Sequence, residues 1–186
     1  MTTPTTLAPR SWQGWVGLAA RLLLGGVLLV AGALKLPALG ESVNAVMAYR
    51  LLPYDLVPVV GTALPFVEVA LGLLLLTGTY TRVAGILGGL VMVAFIIAIA
   101  SAWARGLSLD CGCFGGGGEI SPEAARAAYP WEIARDVGLL ACGVWLALFP
   151  RTRFAVDNLR LPPAGSDAAL DPDTADARPT DPLTTA

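Results

Sequence analysis

Four long apolar blocks decide what this chain can fold into. They run roughly over residues 14–34, 56–77, 82–104 and 131–149. Each has about the twenty residues a helix needs to cross the hydrocarbon core of a bilayer. In lipid the backbone must satisfy its own hydrogen bonds, and a helix does so within one segment. The expected fold is therefore all-α: a polytopic membrane protein, a four-transmembrane-helix bundle in contact with the lipid bilayer. Only 14% of the 186 residues are charged, where a soluble domain carries about a quarter. Gly25, Gly26, Gly85, Gly88 and Gly89 would weaken a soluble helix, but between membrane helices they permit close contact. Trp12 and Trp15 at one end of the first block, Trp103 ending the third and Trp131 opening the fourth fit interfacial belts.

Composition also excludes chemistry. The net charge is −2, so nucleic acid is not an expected partner. The chain has no histidine, which removes Ser-His and Cys-His catalysis and every histidine-liganded metal site. Three cysteines are too few for a disulfide framework. They suffice for one redox pair with one thiol left over.

The chain divides into a short N-terminal segment (1–13), a helical domain (14–150) and an acidic, proline-rich tail (151–186) expected to be disordered. "AGA" at 31–33 resembles a signal-peptidase site, but the apolar stretch is too long and Arg21 interrupts it. Four spans place both termini on one side. That side holds Arg10, Arg82, Arg151, Arg153 and Arg160, and the opposite loops hold Lys35, Arg50, Arg105 and Arg126. The bias, with the redox chemistry below, leads us to expect a multi-pass cell-membrane protein with cytoplasmic termini and an extracytoplasmic cysteine loop. In the first outer loop, Val43, Val46, Met47 and Leu51 share one helical face and Pro53 stops the run, as in a short surface helix. In the second, Ser121 can cap, Pro122 suits a first turn, and Pro130 is expected to end the element.

That second loop contains "LDCGCFGGGGE", residues 109–119. Cys111 and Cys113 are separated by one glycine. A disulfide across one residue has little freedom to reach relaxed geometry, which makes it exchange-prone. Gly112 can take dihedrals other residues avoid. Gly115 to Gly118 would let the loop swing, and Phe114 offers an apolar handle. Asp110 beside Cys111 should raise that thiol, so Cys113 is expected to hold more thiolate and attack first. Arg135 is a candidate thiolate stabiliser. Cys142 reads as a small packing residue or, alternatively, a resolving thiol. Two thiolates supply half of a tetrahedral site, so no metal is expected without a second subunit. No cofactor is expected; a quinone would call for a second cysteine pair, which the chain lacks. Within the apolar blocks, Arg21 and Glu68 reach similar depths from the cytoplasmic end, roughly 10 and 13 Å at the helical rise. An ion pair between them is expected, with a proton or quinone site near Glu68 as the alternative.

"ARLLLGGVLLVAGALKL", "YRLLP" and "LPFVEVALGLLLLTG", followed by "RGLSLDCGCFG" after the third block, resemble the MauE branch of the DoxX-like membrane protein family. The resemblance covers about residues 15–150. It implies a redox-associated four-helix protein working with a thioredoxin-like partner, in a family tied to maturation of a disulfide-rich methylamine dehydrogenase subunit. On this chain it implies a redox pair at Cys111 and Cys113. Arg21, Lys35 and Glu68 match family positions without an assigned role. The expected function is a thiol–disulfide relay or accessory factor for disulfide-containing extracytoplasmic client proteins. The alternative is a non-enzymatic membrane scaffold with a structural cysteine pair.

Overall fold

A computed structural model describes residues 11–113, 117–150 and 152–157. The remainder of both terminal segments lies outside the described residues. So do Phe114, Gly115 and Gly116, with what the sequence suggested for them.

Five helices carry the fold. α1 spans Ser11–Lys35 and passes through a single 3-10 turn, Leu36–Ala38, into α2, Leu39–Ala48. α3 spans Val57–Thr77, α4 Thr81–Ala104 and α5 Pro122–Leu148. Between α4 and α5 a two-stranded antiparallel ladder, β1 (Leu109–Asp110) and β2 (Gly118–Glu119), pairs Leu109 with Glu119 and Asp110 with Gly118. Three helical stretches, Trp12–Ala48, Val57–Thr77 and Thr81–Ala104, are long and apolar enough to cross a membrane. The fourth long helix, α5, packs along α4 and α1. Their shared core is apolar: Leu24 and Leu28 of α1, Leu75 of α3, Met92 of α4 and Leu146 of α5 are all buried. Leu22, Leu73, Leu90 and Val144 point outward and are exposed.

Small residues set the helix spacing. A Cβ added at Gly25 would come within 2.9 Å of the Leu75 side chain, and one at Gly72 within 2.7 Å of the Leu29 nitrogen. One at Gly143 of α5 would lie 2.9 Å from the Gly85 carbonyl of α4. These are close crossings of the small-residue kind. Gly26, grouped with them in the sequence, faces open space.

One local expectation needs correction. Pro130 does not end its element: it lies inside α5, which starts at Pro122 with Ser121 as N-cap accepting from the Ala124 N–H. Proline removes one backbone donor, but packing against α4 carries the helix past it. On α2 the buried positions are Ser42 and Ala45, while Met47 is exposed, as is Leu51 beyond the end of the helix. Ser42 donates to the Gly61 carbonyl of α3 at 2.8 Å, and a Cβ on Gly61 would lie 2.6 Å from Val43. The short helix is thus docked on α3 by its small polar side.

Arg21 is buried, but it does not pair with Glu68. Its guanidinium donates to the carbonyls of Leu75 (2.8 Å) and Leu76 (3.0 Å), to Thr152 Oγ1 (2.8 Å) and to the Arg153 carbonyl (3.3 Å). A cation here satisfies orphan carbonyls at the α3 C-terminus, where the helix dipole also favours it. Gly78, at φ 71°, caps α3, and a Cβ there would sit 2.6 Å from the guanidinium. The sequence expectation failed because the spans do not start in one plane. Gly25 faces Leu75 and Gly32 faces Pro65 and Glu68, so Arg21 falls opposite Gly78, about 15 Å along α3 from Glu68.

Residues 152–157 fold back onto this same end. Thr152 and Ala155 are buried. The Asp157 carboxylate accepts from the N–H groups of Tyr80 and Thr81 at 2.8 Å each, capping α4 across the chain.

Candidate functional site

The described base of the cysteine loop is pinned by hydrogen bonds. Tyr129 of α5 accepts from the Leu109 N–H and donates to the Leu107 carbonyl, both at 2.8 Å. The Ile120 N–H reaches the Ser108 carbonyl at 2.9 Å. From the other side Tyr49, just past α2, donates to the Cys111 carbonyl at 3.2 Å. Burial pushes the Tyr49 phenol up, so it remains a protonated donor. Gly112, at φ 64°, turns the chain between the two cysteines, and the Cys113 N–H points at Cys111 Sγ, 3.4 Å away.

The two sulfurs face different surroundings. Cys111 is half-buried; Cys113 is only 5% exposed. Cys111 is thus the more accessible of the two thiols. A hydrogen bond between the two sulfurs, separate from the Cys113 N–H contact, pulls the Cys113 thiol down, helped by the positive charges of Arg135 and Lys35 against burial and Asp136. The same sulfur–sulfur bond, with burial, pushes the Cys111 thiol up, against the Cys113 N–H, which acts in the opposite sense. Cys113 is thus the sulfur that carries negative charge more readily, and it is the one held inside.

Around Cys113 the structure gathers charges from three helices. Lys35 at the end of α1 donates to both carboxylate oxygens of Glu68 on α3, at 2.8 and 3.0 Å. Glu68 is fully buried. Arg135 and Asp136 of α5 pair at 2.8 Å, and Asp136 is 1% exposed with Oδ2 lacking a hydrogen-bond partner. Glu68, Cys113, Arg135 and Asp136 line one small void. Arg135 is therefore placed as the sequence proposed, beside the cysteines. Lys35, Glu132 and Asp136 were missed as members of the site. Glu132, Arg135 and Asp136 lie three and four residues apart, on one helical face, and that spacing was the available signal.

Asp110, Cys111 and Glu132 also bring one ligand atom each within 4.8 Å of one another. Three ligands with partial exposure fall short of a closed tetrahedral site. Cys142 is not drawn into the site. It packs against the apolar core with Trp145 and Leu140, six residues beyond Asp136 and so roughly 9 Å further along α5.

A cavity of about 310 Å³ opens beside the pair. Lys35, Tyr49, Phe95, Ile99, Cys111 and Cys113 line it, with further apolar residues of α2, α3 and α4. Lys35 Nζ lies 5.3 Å from the centre of the Phe95 ring.

No curated protein and no solved structure matches the chain. One family model does, that of the methylamine utilisation protein MauE, over residues 13–149. That span contains the described helices almost from end to end, the Lys35–Glu68 pair and both loop cysteines. This chain, a membrane protein by its apolar helices, belongs to the MauE family.

Proposed function

We propose that this protein is an integral membrane thiol–disulfide relay that oxidises a thioredoxin-like partner and, through it, extracytoplasmic client proteins. The observation that carries the reading is the unequal pair: a half-buried Cys111 beside an internal Cys113 whose thiol is pulled down. In the oxidised protein a partner thiolate attacks Cys111 Sγ. The Cys111–Cys113 bond breaks and Cys113 departs as thiolate, the better leaving group of the two because its thiol is the more acidic. A second partner thiol, deprotonated, then attacks the mixed disulfide and releases Cys111. The partner leaves as disulfide and the relay as dithiol. This order moves the point of first contact from Cys113, which the sequence favoured, to Cys111, because a protein partner cannot reach a sulfur buried among helices.

In this reading α5 is the fourth span. Its charges do not face lipid: Arg135 and Asp136 neutralise each other and Asp136 points inward. Val137, Val144 and Leu148 supply an exposed apolar face. Both termini are cytoplasmic and the cysteine loop is extracytoplasmic. The family description places such a protein in methylamine utilisation.

Trapping tests the reading. In a Cys142→Ala background, Cys113→Ser should accumulate a reductant-sensitive adduct at Cys111 on a non-reducing gel, and Cys111→Ser should not. A membrane-impermeant maleimide should label Cys111 in reduced intact cells. If neither mutant gives an adduct and the wild-type pair never changes oxidation state, the relay fails. The burial of Cys113 then favours the second reading, a non-enzymatic assembly scaffold in which the pair is structural.

A further inference from the structure

The relay just proposed needs something to reoxidise its dithiol, and the cavity beside the pair indicates what. At about 310 Å³ it is at the small end of ligand sites, roughly 300–1,000 Å³. Its walls are apolar side chains with few polar groups. One of these is Lys35, 5% exposed and charged. An ammonium has three N–H donors, and Glu68 takes two of them. Among the described residues no other side chain or carbonyl accepts from the ammonium, so an oxygen in the cavity would complete it. Phe95 offers a ring face beside that ammonium, and the two cysteines form another part of the wall. A ligand that suits this lining is flat, apolar and uncharged, and carries a carbonyl oxygen for Lys35.

We infer that the cavity between α2, α3 and α4 binds a quinone-class electron acceptor, which takes two electrons directly from Cys111 and Cys113. The inference rests on the relay reading and deepens it. The sequence argument against a quinone was the missing second cysteine pair. The geometry removes the need for one, because a single pair here borders both the outer surface, at Cys111, and the cavity, which both cysteines line.

The reaction balances within the two reactants. The Cys113 thiolate adds to the quinone ring, and Lys35 supports the charge that develops on the carbonyl oxygen. The Cys111 sulfur then attacks Cys113 Sγ, the sulfur–carbon bond breaks, and the sulfur–sulfur bond forms. The quinone leaves with two electrons and with the two protons the thiols gave up, as the hydroquinone. One dithiol and one quinone become one disulfide and one hydroquinone.

The test uses the full chain, Cys142→Ala, reduced and reconstituted in lipid nanodiscs. It is mixed with decylubiquinone, whose fully substituted ring limits simple arylation. Quinone absorbance and mass-tagged thiols are followed together. The expected result is loss of two thiols and one quinone per chain, with a rate that saturates as quinone is raised. Ala98→Phe, which places a ring in the cavity, should slow this at least tenfold while leaving exchange with a small disulfide peptide unchanged. Equal rates in both proteins would mean oxidation in bulk and would overturn the inference. So would peptide exchange without quinone reduction, as expected if the cavity merely holds an acyl chain; the relay would then survive alone. A pair inert to both reagents removes the relay as well. If Ala98→Phe does not fold, the wild-type concentration dependence decides: a saturable rate supports the site and a linear one overturns it.

Discussion

Lys35 and Glu68, from helices α1 and α3, meet with both carboxylate oxygens within 3.0 Å of one ammonium, and neither side chain reaches solvent appreciably. This pair, not Arg21 with Glu68, neutralises the buried acid. It also fixes the α1 end next to the cysteine loop, and so one wall of the cavity.

Breaking the pair should be far worse than removing it. Lys35→Ala leaves an uncompensated buried carboxylate and should cost about 3–5 kcal/mol. Replacing both residues by methionine removes both charges and keeps most of the volume, and should recover to within ~1 kcal/mol of the native protein. Unfolding of each variant in detergent monitors this. A Lys35→Ala cost below ~1 kcal/mol would mean the pair is not buried as described.

Arg21 should behave independently of Glu68. Arg21→Ala strips donors from the Leu75 and Leu76 carbonyls and from Thr152, at a cost of at least ~2 kcal/mol. It should also loosen residues 152–157, seen as faster proteolysis there. Combined with Glu68→Gln, the two effects should add within about 0.5 kcal/mol, as distant sites do. A larger coupling would restore the direct ion pair.

Tyr129→Phe isolates the clamp on the loop. It deletes both hydrogen bonds of the phenol to the loop backbone and leaves a buried donor at Leu109 unpaired. A loss of about 1–3 kcal/mol follows. Alkylation of Cys111 should become faster, because β1 is no longer tied to α5. An unchanged alkylation rate would place the control of access elsewhere.

The pH dependence of alkylation should separate the sulfurs. Cys113 is pulled down and Cys111 pushed up, in both cases chiefly by their shared hydrogen bond. With Cys142→Ala, iodoacetamide should react at Cys113 with a pH midpoint below the ordinary thiol value of about 8.5, limited in rate by burial. Cys111 should stay protonated through that range. Replacing Cys113 by alanine removes that bond and should bring the Cys111 midpoint down toward the ordinary value. An unmoved Cys111 midpoint would show that burial, not the neighbouring sulfur, sets it.

The sequence by itself determined the membrane-helix character, three of the long helices within a few residues, the Ser121 cap and the two cysteines one residue apart. These are local: apolar runs of about twenty residues, a capping side chain and a spacing of two are read without knowing any neighbour. Which charge meets Glu68 was not local. It depends on the antiparallel register of α1 on α3, which the close crossings at Gly25, Gly32 and Gly72 set. A slide of a few residues would have changed the partner. The tertiary structure alone likewise kept α5 helical through Pro130, by packing it on α4. It turned a glycine-rich loop inward so that Cys113 lies among Lys35, Arg135 and Asp136 while Cys111 remains half-exposed. A loop sequence gives the freedom to bend. Where its base comes to rest is decided by the hydroxyls of Tyr129 on α5 and Tyr49 just past α2, both distant in the chain.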